Sequence, residues 1–116
     1  MEITELENGT KIIKDAYNAS FESMAASLKV LSEYKENRKI AVLGDMFELG
    51  EFSKELHEKV GEEVAKNNID ILICSGENSK YIVKKAKENM NTENIYYLEK
   101  KEEILNILEK IISKKL

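Results

Sequence analysis

Two stretches decide the fold: Ile40-Ala41-Val42-Leu43-Gly44 and, further on, Ile69-Asp70-Ile71-Leu72-Ile73-Cys74-Ser75-Gly76. Each is a short, nearly continuous apolar run closed by a glycine, the pattern of a strand covered on both faces. Between them Leu56, Val60 and Val64 recur at helical spacing, from a start near Ser53 to a break at Asn67-Asn68. A strand, an amphipathic helix and a second strand of this kind make a parallel pair joined by a right-handed crossover.

The same grammar extends in both directions. Upstream, Ile3 to Leu6 and Lys11 to Ile13 read as short strands around Glu7-Asn8-Gly9-Thr10, whose Asn-Gly pair suits a tight hairpin turn with positive φ. Ser20 then stands as N-cap of a helix through about Tyr34, with Met24, Leu28 and Leu31 on its inward face. Downstream, a helix from about Asn78 to Glu88 carries Ile82 and Ala86 on one side. Ile95-Tyr96-Tyr97-Leu98 is the next strand, and Ile104, Leu108, Ile111 and Ile112 mark a final helix. The order β-β-α-β-α-β-α-β-α predicts an α/β, Rossmann-like three-layer sandwich: a mostly parallel sheet with an N-terminal β-hairpin and helices on both faces. All strand-to-helix loops then fall on one edge, which gathers the Asp15 to Ser20, Gly44 to Phe52 and Ser75 to Asn78 segments. That edge is where open α/β sheets bind ligands.

Composition narrows the function. A chain of 116 residues is a single domain, 1–116, large enough to bury a core without staples. One cysteine, Cys74, speaks for a reducing compartment and a cytoplasmic setting, and at a strand end it reads as a small core residue. The 22 acids and 18 bases are interspersed, so there is no basic stripe for nucleic acid. No apolar run approaches the ~20 residues of a membrane helix, and the start lacks a signal pattern. Lys84-Lys85 and Lys114-Lys115 read as solvated helix faces or a frayed end.

Neither G-x-x-x-x-G-K-[ST] nor G-x-G-x-x-G occurs, so the chain does not itself carry a nucleotide-phosphate loop. One histidine and one cysteine cannot build a zinc site, and no catalytic triad is present. What remains is strand-end chemistry. Asp15 is either a turn carboxylate or an acceptor for two adjacent hydroxyls such as a ribose presents. Tyr17 and Asn18 add a stacking face and an amide. Asp45 has the same strand-end place between Gly44 and Gly50. His57, one position past Leu56, is expected beside the buried face, either partly exposed and bonded to a neighbouring loop or turned toward substrate.

Ile12-Ile13-Lys14-Asp15-Ala16-Tyr17-Asn18-Ala19-Ser20, followed by Ser23-Met24, then Ala41-Val42-Leu43-Gly44-Asp45-Met46-Phe47-Glu48-Leu49-Gly50-Glu51 and His57 to Gly61, resembles the carboxyl-terminal domain of the MurF-type Mur ligases. The resemblance implies one domain of a cytoplasmic ligase whose amino-terminal and central ATPase domains are absent from this chain. Such ligases use ATP and Mg²⁺, held mainly by the central domain, to join D-alanyl-D-alanine to UDP-N-acetylmuramoyl-tripeptide in peptidoglycan synthesis through an acyl phosphate. The isolated domain would be inactive. Position by position, the resemblance implies that Asp15 contacts the nucleotide ribose and that Tyr17, Asn18, Ser20, Asp45, Met46 and His57 serve substrate binding. Three departures stand out. The family pattern Asn-Ala-Asn-Pro is here Asn18-Ala19-Ser20-Phe21, Lys14 replaces an acidic or amide residue, and a family arginine near the domain start is missing. A free-standing module that binds a nucleotide or dipeptide without catalysis is the alternative. A phosphoacceptor receiver domain built on Asp45 ranks below both, because Asp15 has no acidic companion at the first strand's end.

Overall fold

The computed structural model describes residues 3–15, 20–100 and 102–113, and of Asp15, Ile112 and Ser113 only the backbone. Two short strands, β1 (Ile3–Glu5) and β2 (Lys11–Asp15), pair antiparallel, with Ile3 opposite Ile13 and Glu5 opposite Lys11. Four βα units follow from β2: α1 (Phe21–Ser32), β3 (Lys39–Leu43), α2 (Ser53–Lys66), β4 (Ile71–Ser75), α3 (Ser79–Ala86), β5 (Ile95–Leu98) and α4 (Glu103–Ser113). The sheet order is β1-β2-β3-β4-β5, and every pair from β2 onward is parallel. The expected α/β sandwich with its N-terminal hairpin is therefore the fold.

Period-two alternation along the strands sorts the side chains into two cores. Ile13, Ala41, Leu43, Leu72 and Cys74 face one way, where they meet Met24, Leu28 and Leu31 of α1, Val60 and Val64 of α2, and Ile82, Val83 and Ala86 of α3. Ile12, Ile40, Val42 and Ile73 face the other way, against Ile104 and Ile111 of α4. Because the parallel strands follow chain order, three successive crossovers of one hand lay their helices on the same face. Only after β5 does the chain pass to the opposite face.

The hairpin is tight with a positive φ at its Asn-Gly pair, as expected, while two later element ends depart from the sequence reading. The hairpin loop is three residues: the Leu6 N–H bonds the Thr10 carbonyl, the Gly9 N–H bonds the Leu6 carbonyl, and within the turn Gly9 takes the positive φ, 88°. A two-residue type I′ turn would need positive φ at both central positions, and Asn8 instead uses its side chain to accept from the Thr10 N–H at 3.0 Å. The fourth strand begins at Ile71 rather than Ile69, because Asp70 is spent on its neighbour: its carboxylate accepts from the Lys39 N–H at 2.8 Å and its own N–H bonds the Lys39 carbonyl. Helix α1 ends at Ser32, two residues early, in a tightening turn where Glu33 and Tyr34 N–H groups bond carbonyls three residues back.

Long-range polar contacts fix the remaining ends. The Arg38 Nη2 donates to the Ile111 carbonyl at 3.0 Å, satisfying the carboxyl end of α4 from the far side of the chain. Lys39, almost fully buried, places its Nζ on the Asn37 carbonyl at 3.0 Å and near the Asp70 carboxylate at 3.7 Å.

Helices α2 and α3 touch backbone to side at Gly61, where an added Cβ would run into the Ile82 carbonyl and the Lys85 Cβ. Intrinsic propensity alone favours alanine over glycine in a helix by about 1 kcal/mol. Gly61→Ala is nonetheless expected to destabilise the fold by about 1–2 kcal/mol, since the two helices must separate. The urea unfolding midpoint reads this directly, and an increase in stability would show that the helices have room.

Candidate functional site

The carboxyl ends of β2 to β5 form one edge, with Asp15 in register with Leu43 and Ser75 in register with Leu98. Of the sequence-predicted site residues, Ser20, Asp45, Met46 and His57 are described in full, and Asp15 is fixed only as the last residue of β2. Tyr17 and Asn18 lie outside the described residues, as do Lys114 and Lys115.

Ser20 is the N-cap of α1, as its place before the apolar period suggests. Its hydroxyl accepts from the Ser23 N–H at 3.1 Å, and the Ser23 hydroxyl accepts from the Ser20 N–H at 3.1 Å. This reciprocal pair satisfies two amides that the first helical turn leaves unpaired. The family motif's proline would pre-set the next position; here Ser20 and Ser23 open the helix by hydrogen bonding instead.

Asp45 reaches across the edge to the loop after β4. Its Oδ1 accepts from the Ser79 N–H at 2.8 Å and from the Asn78 N–H at 3.1 Å, and its Oδ2 lies 3.1 Å from the same Asn78 nitrogen. The carboxylate thus caps α3 from the loop after β3, where the helix offers no capping side chain of its own. Gly76 makes this possible: it has φ 128°, and a Cβ there would overlap the Asp45 carboxylate. The Gly76 carbonyl in turn accepts from the Ser79 hydroxyl at 3.0 Å and the Tyr97 hydroxyl at 2.6 Å. These contacts tie the carboxyl ends of β3, β4 and β5 together. They also bridge the point where the chain leaves β4 for one face and β5 for the other, the kind of divergence that opens crevices in parallel sheets.

Met46 and His57 form a second tie. Met46 is 1% exposed and its N–H donates to His57 Nε2 at 3.0 Å, while His57 Nδ1 lies 2.6 Å from the Ser53 carbonyl. An Nε2 that accepts must be unprotonated, so the ring proton sits on Nδ1 and is donated to Ser53. His57 is fully buried, not the partly exposed residue its position beside Leu56 suggests. The reason is the preceding loop, which folds over this side of α2 and offers a backbone donor for the ring. His57 and Met46 therefore hold the Asp45 segment, and their side chains are not presented to solvent.

Two residues at this edge escaped the sequence reading. Gly76 was visible as a turn marker, but its use as clearance for a carboxylate was not. Tyr97 looked like an ordinary strand residue; only the sheet order brings its hydroxyl to Gly76. Burial, then the charge of Asp45, raises the Tyr97 phenol above its ordinary range. Burial, then Asp45, likewise pushes the Cys74 thiol far up, as suits a core residue with no nucleophilic role. Among the described residues no three His, Cys, Asp or Glu side chains converge as a metal site would require.

Asp45→Ala leaves the Asn78 and Ser79 amides without their acceptor and is expected to cost about 1–2 kcal/mol, whereas Asp45→Asn, which keeps one carbonyl, loses less. A change within about 0.5 kcal/mol in urea unfolding would mean the carboxylate does not hold the loop. A second expectation concerns pH. The folded chain keeps the Cys74 proton, and the unfolded chain releases it as pH rises through the ordinary thiol range. The unfolded state then binds fewer protons, so stability falls as pH rises. The urea midpoint should drop between about pH 8 and 10, and Cys74→Ala should flatten that decline by up to about 1.4 kcal/mol per pH unit.

The family model for the Mur ligase, glutamate ligase domain, matches residues 1–115. UDP-N-acetylmuramoyl-tripeptide--D-alanyl-D-alanine ligase from Bacillus subtilis (strain 168) is 31% identical over 116 residues, covering 98% of this chain and 25% of its own. The protein of the same name from Buchnera aphidicola subsp. Baizongia pistaciae (strain Bp) is 30% identical and is covered over 24% of its length by 100% of this chain. Among solved structures, crystal structure II of MurF from Acinetobacter baumannii superimposes with a TM-score of 0.77 at 25% identity, over 96% of this chain and 23% of that one. The chain spans about a quarter of the length of the curated relatives it matches. On the match to residues 1–115, and on the sheet that carries it, this chain belongs to the Mur ligase family as its glutamate ligase domain.

Proposed function

We propose that this chain is the carboxyl-terminal domain of a cytoplasmic ligase that joins D-alanyl-D-alanine to UDP-N-acetylmuramoyl-tripeptide for peptidoglycan synthesis. The observation that carries the reading is the 31% identity to a protein of that name over 98% of the chain. The sequence carries neither G-x-x-x-x-G-K-[ST] nor G-x-G-x-x-G, and on this reading the phosphate loop and Mg²⁺ would be supplied by the other domains of the ligase. ATP with Mg²⁺ would there convert the tripeptide carboxylate to an acyl phosphate, releasing ADP, and the dipeptide amine would attack the acyl carbon, forming the amide and displacing phosphate.

What this chain contributes is binding and order at the edge of its sheet. Asp15 ends β2 beside Leu43, a place from which a carboxylate can accept two vicinal ribose hydroxyls. Tyr17, Asn18 and Ser20 lie in the motif that follows it and would meet substrate or nucleotide there. Asp45 serves the same edge through its hold on Asn78 and Ser79, with His57 and Met46 fixing the segment on which Asp45 stands. A preordered rim costs less entropy when it meets its ligand, and a covered site keeps water from an activated carboxylate.

The first test is the mass of the native polypeptide, by immunoblot of source cells with an antibody to this chain. A ligase should run at roughly four times 13.3 kDa, as the quarter-length coverage of relatives implies. A native mass of 13.3 kDa would instead favour a free-standing binding module. In the intact enzyme Asp15→Ala is expected to raise the apparent KM for ATP by about tenfold, the effect of losing one charge-assisted hydrogen bond pair. Unchanged ATP kinetics would remove Asp15 from the nucleotide site.

A further inference from the structure

The loop between β3 and α2 turns two large side chains outward while anchoring everything around them. Met46 points inward at 1% exposure and Leu49 packs against the larger core cluster. Phe47 is 51% exposed and Phe52 56% exposed. Their display is fixed by the backbone. Met46 is tied to His57, the Phe52 N–H bonds the Leu49 carbonyl at 3.1 Å, and Glu48 and Gly50 take left-handed φ values of 62° and 58°. A non-glycine residue in that region is uncommon and is held by its surroundings. Two phenylalanines displayed on a pinned loop are therefore a built surface.

The charge along this run is mainly acidic. Glu48, Glu51 and Glu55 are exposed along the same run, with Lys54 as its one cation. An apolar pair with an acidic rim matches an apolar patch with a basic rim. The length of the relatives says where such a patch can lie, because about three quarters of each lies beyond the part that this chain matches.

We propose that Phe47 and Phe52 form a docking ridge for an apolar, basic-rimmed surface on another domain of the same polypeptide. This rests on reading the chain as one domain of a longer ligase. Aromatic side chains carried on a loop whose backbone is already ordered are residues on which docking energy concentrates. The acidic rim then sets the orientation in which the domains meet.

Cysteine labelling tests this, because the native Cys74 is fully buried and stays silent while the fold is intact. Phe47→Cys and Phe52→Cys are made separately in the parent polypeptide and in the 116-residue chain, with Leu105→Cys on α4, 64% exposed, as the control. Maleimide labelling is read peptide by peptide, and labelling of Cys74 exposes any variant that fails to fold, which is why two ridge positions are used. The expected result is that both ridge thiols react about tenfold or more slowly in the parent than in the short chain, while the control reacts alike in both. Equal rates at the ridge in both proteins overturn the proposal, as does slowing of all three thiols alike. Slowing already present in the short chain and lost on dilution overturns it too, in favour of a second copy. A native mass equal to that of this chain would sink the ligase reading itself; a full-length parent with a reactive ridge would sink the docking surface alone.

Discussion

The Asp45 carboxylate reaches the amides that open α3 only because Gly76 has no side chain in the way. That clearance organises the whole edge of the sheet. Once the carboxylate is seated, the Gly76 carbonyl is turned to receive Ser79 and Tyr97, and three strand ends that share no local sequence become one surface. The His57 to Met46 bond secures the other side of Asp45, so that the segment is pinned from both α2 and α3. Each tie runs from side chain to backbone. The rim therefore depends less on which side chains neighbouring loops carry than on where their amides and carbonyls stand.

The fold was legible because its two periods are clean. Ile40 to Leu43 and Ile71 to Cys74 alternate between two buried faces, and Val60, Val64, Ile82 and Ala86 fall at helical spacing on the inner sides of their helices. Element ends were less legible wherever a polar residue was taken by a distant partner: Asp70 shortens β4 because Lys39 needs its carboxylate. The sandwich's uneven covering, three helices against one, follows from strand order, which apolar period does not encode.

The candidate site was legible as a place and as residue types, but not as a set of bonds. Asp45 could be picked out as a strand-end carboxylate; that it spends its oxygens on the amides of Asn78 and Ser79 depends on a contact between residues far apart in sequence. For His57 the bond to a neighbouring loop was legible and the full burial was not. A histidine next to an apolar face is ambiguous from spacing alone, and what buried it was a backbone donor from a loop with no helical or strand period. Ser20 was read correctly because a cap is a local device, closed within four residues of chain.

Strand order equal to chain order has a consequence for how the molecule is made. During synthesis each parallel strand emerges to find its neighbour already in place, and the only loop to close is a single helical crossover. No strand must wait for a later one to be inserted beside it. The sheet can therefore grow by accretion from the amino-terminal hairpin, and losses from the carboxyl end peel α4 and then β5 from an edge while β1 to β4 remain contiguous.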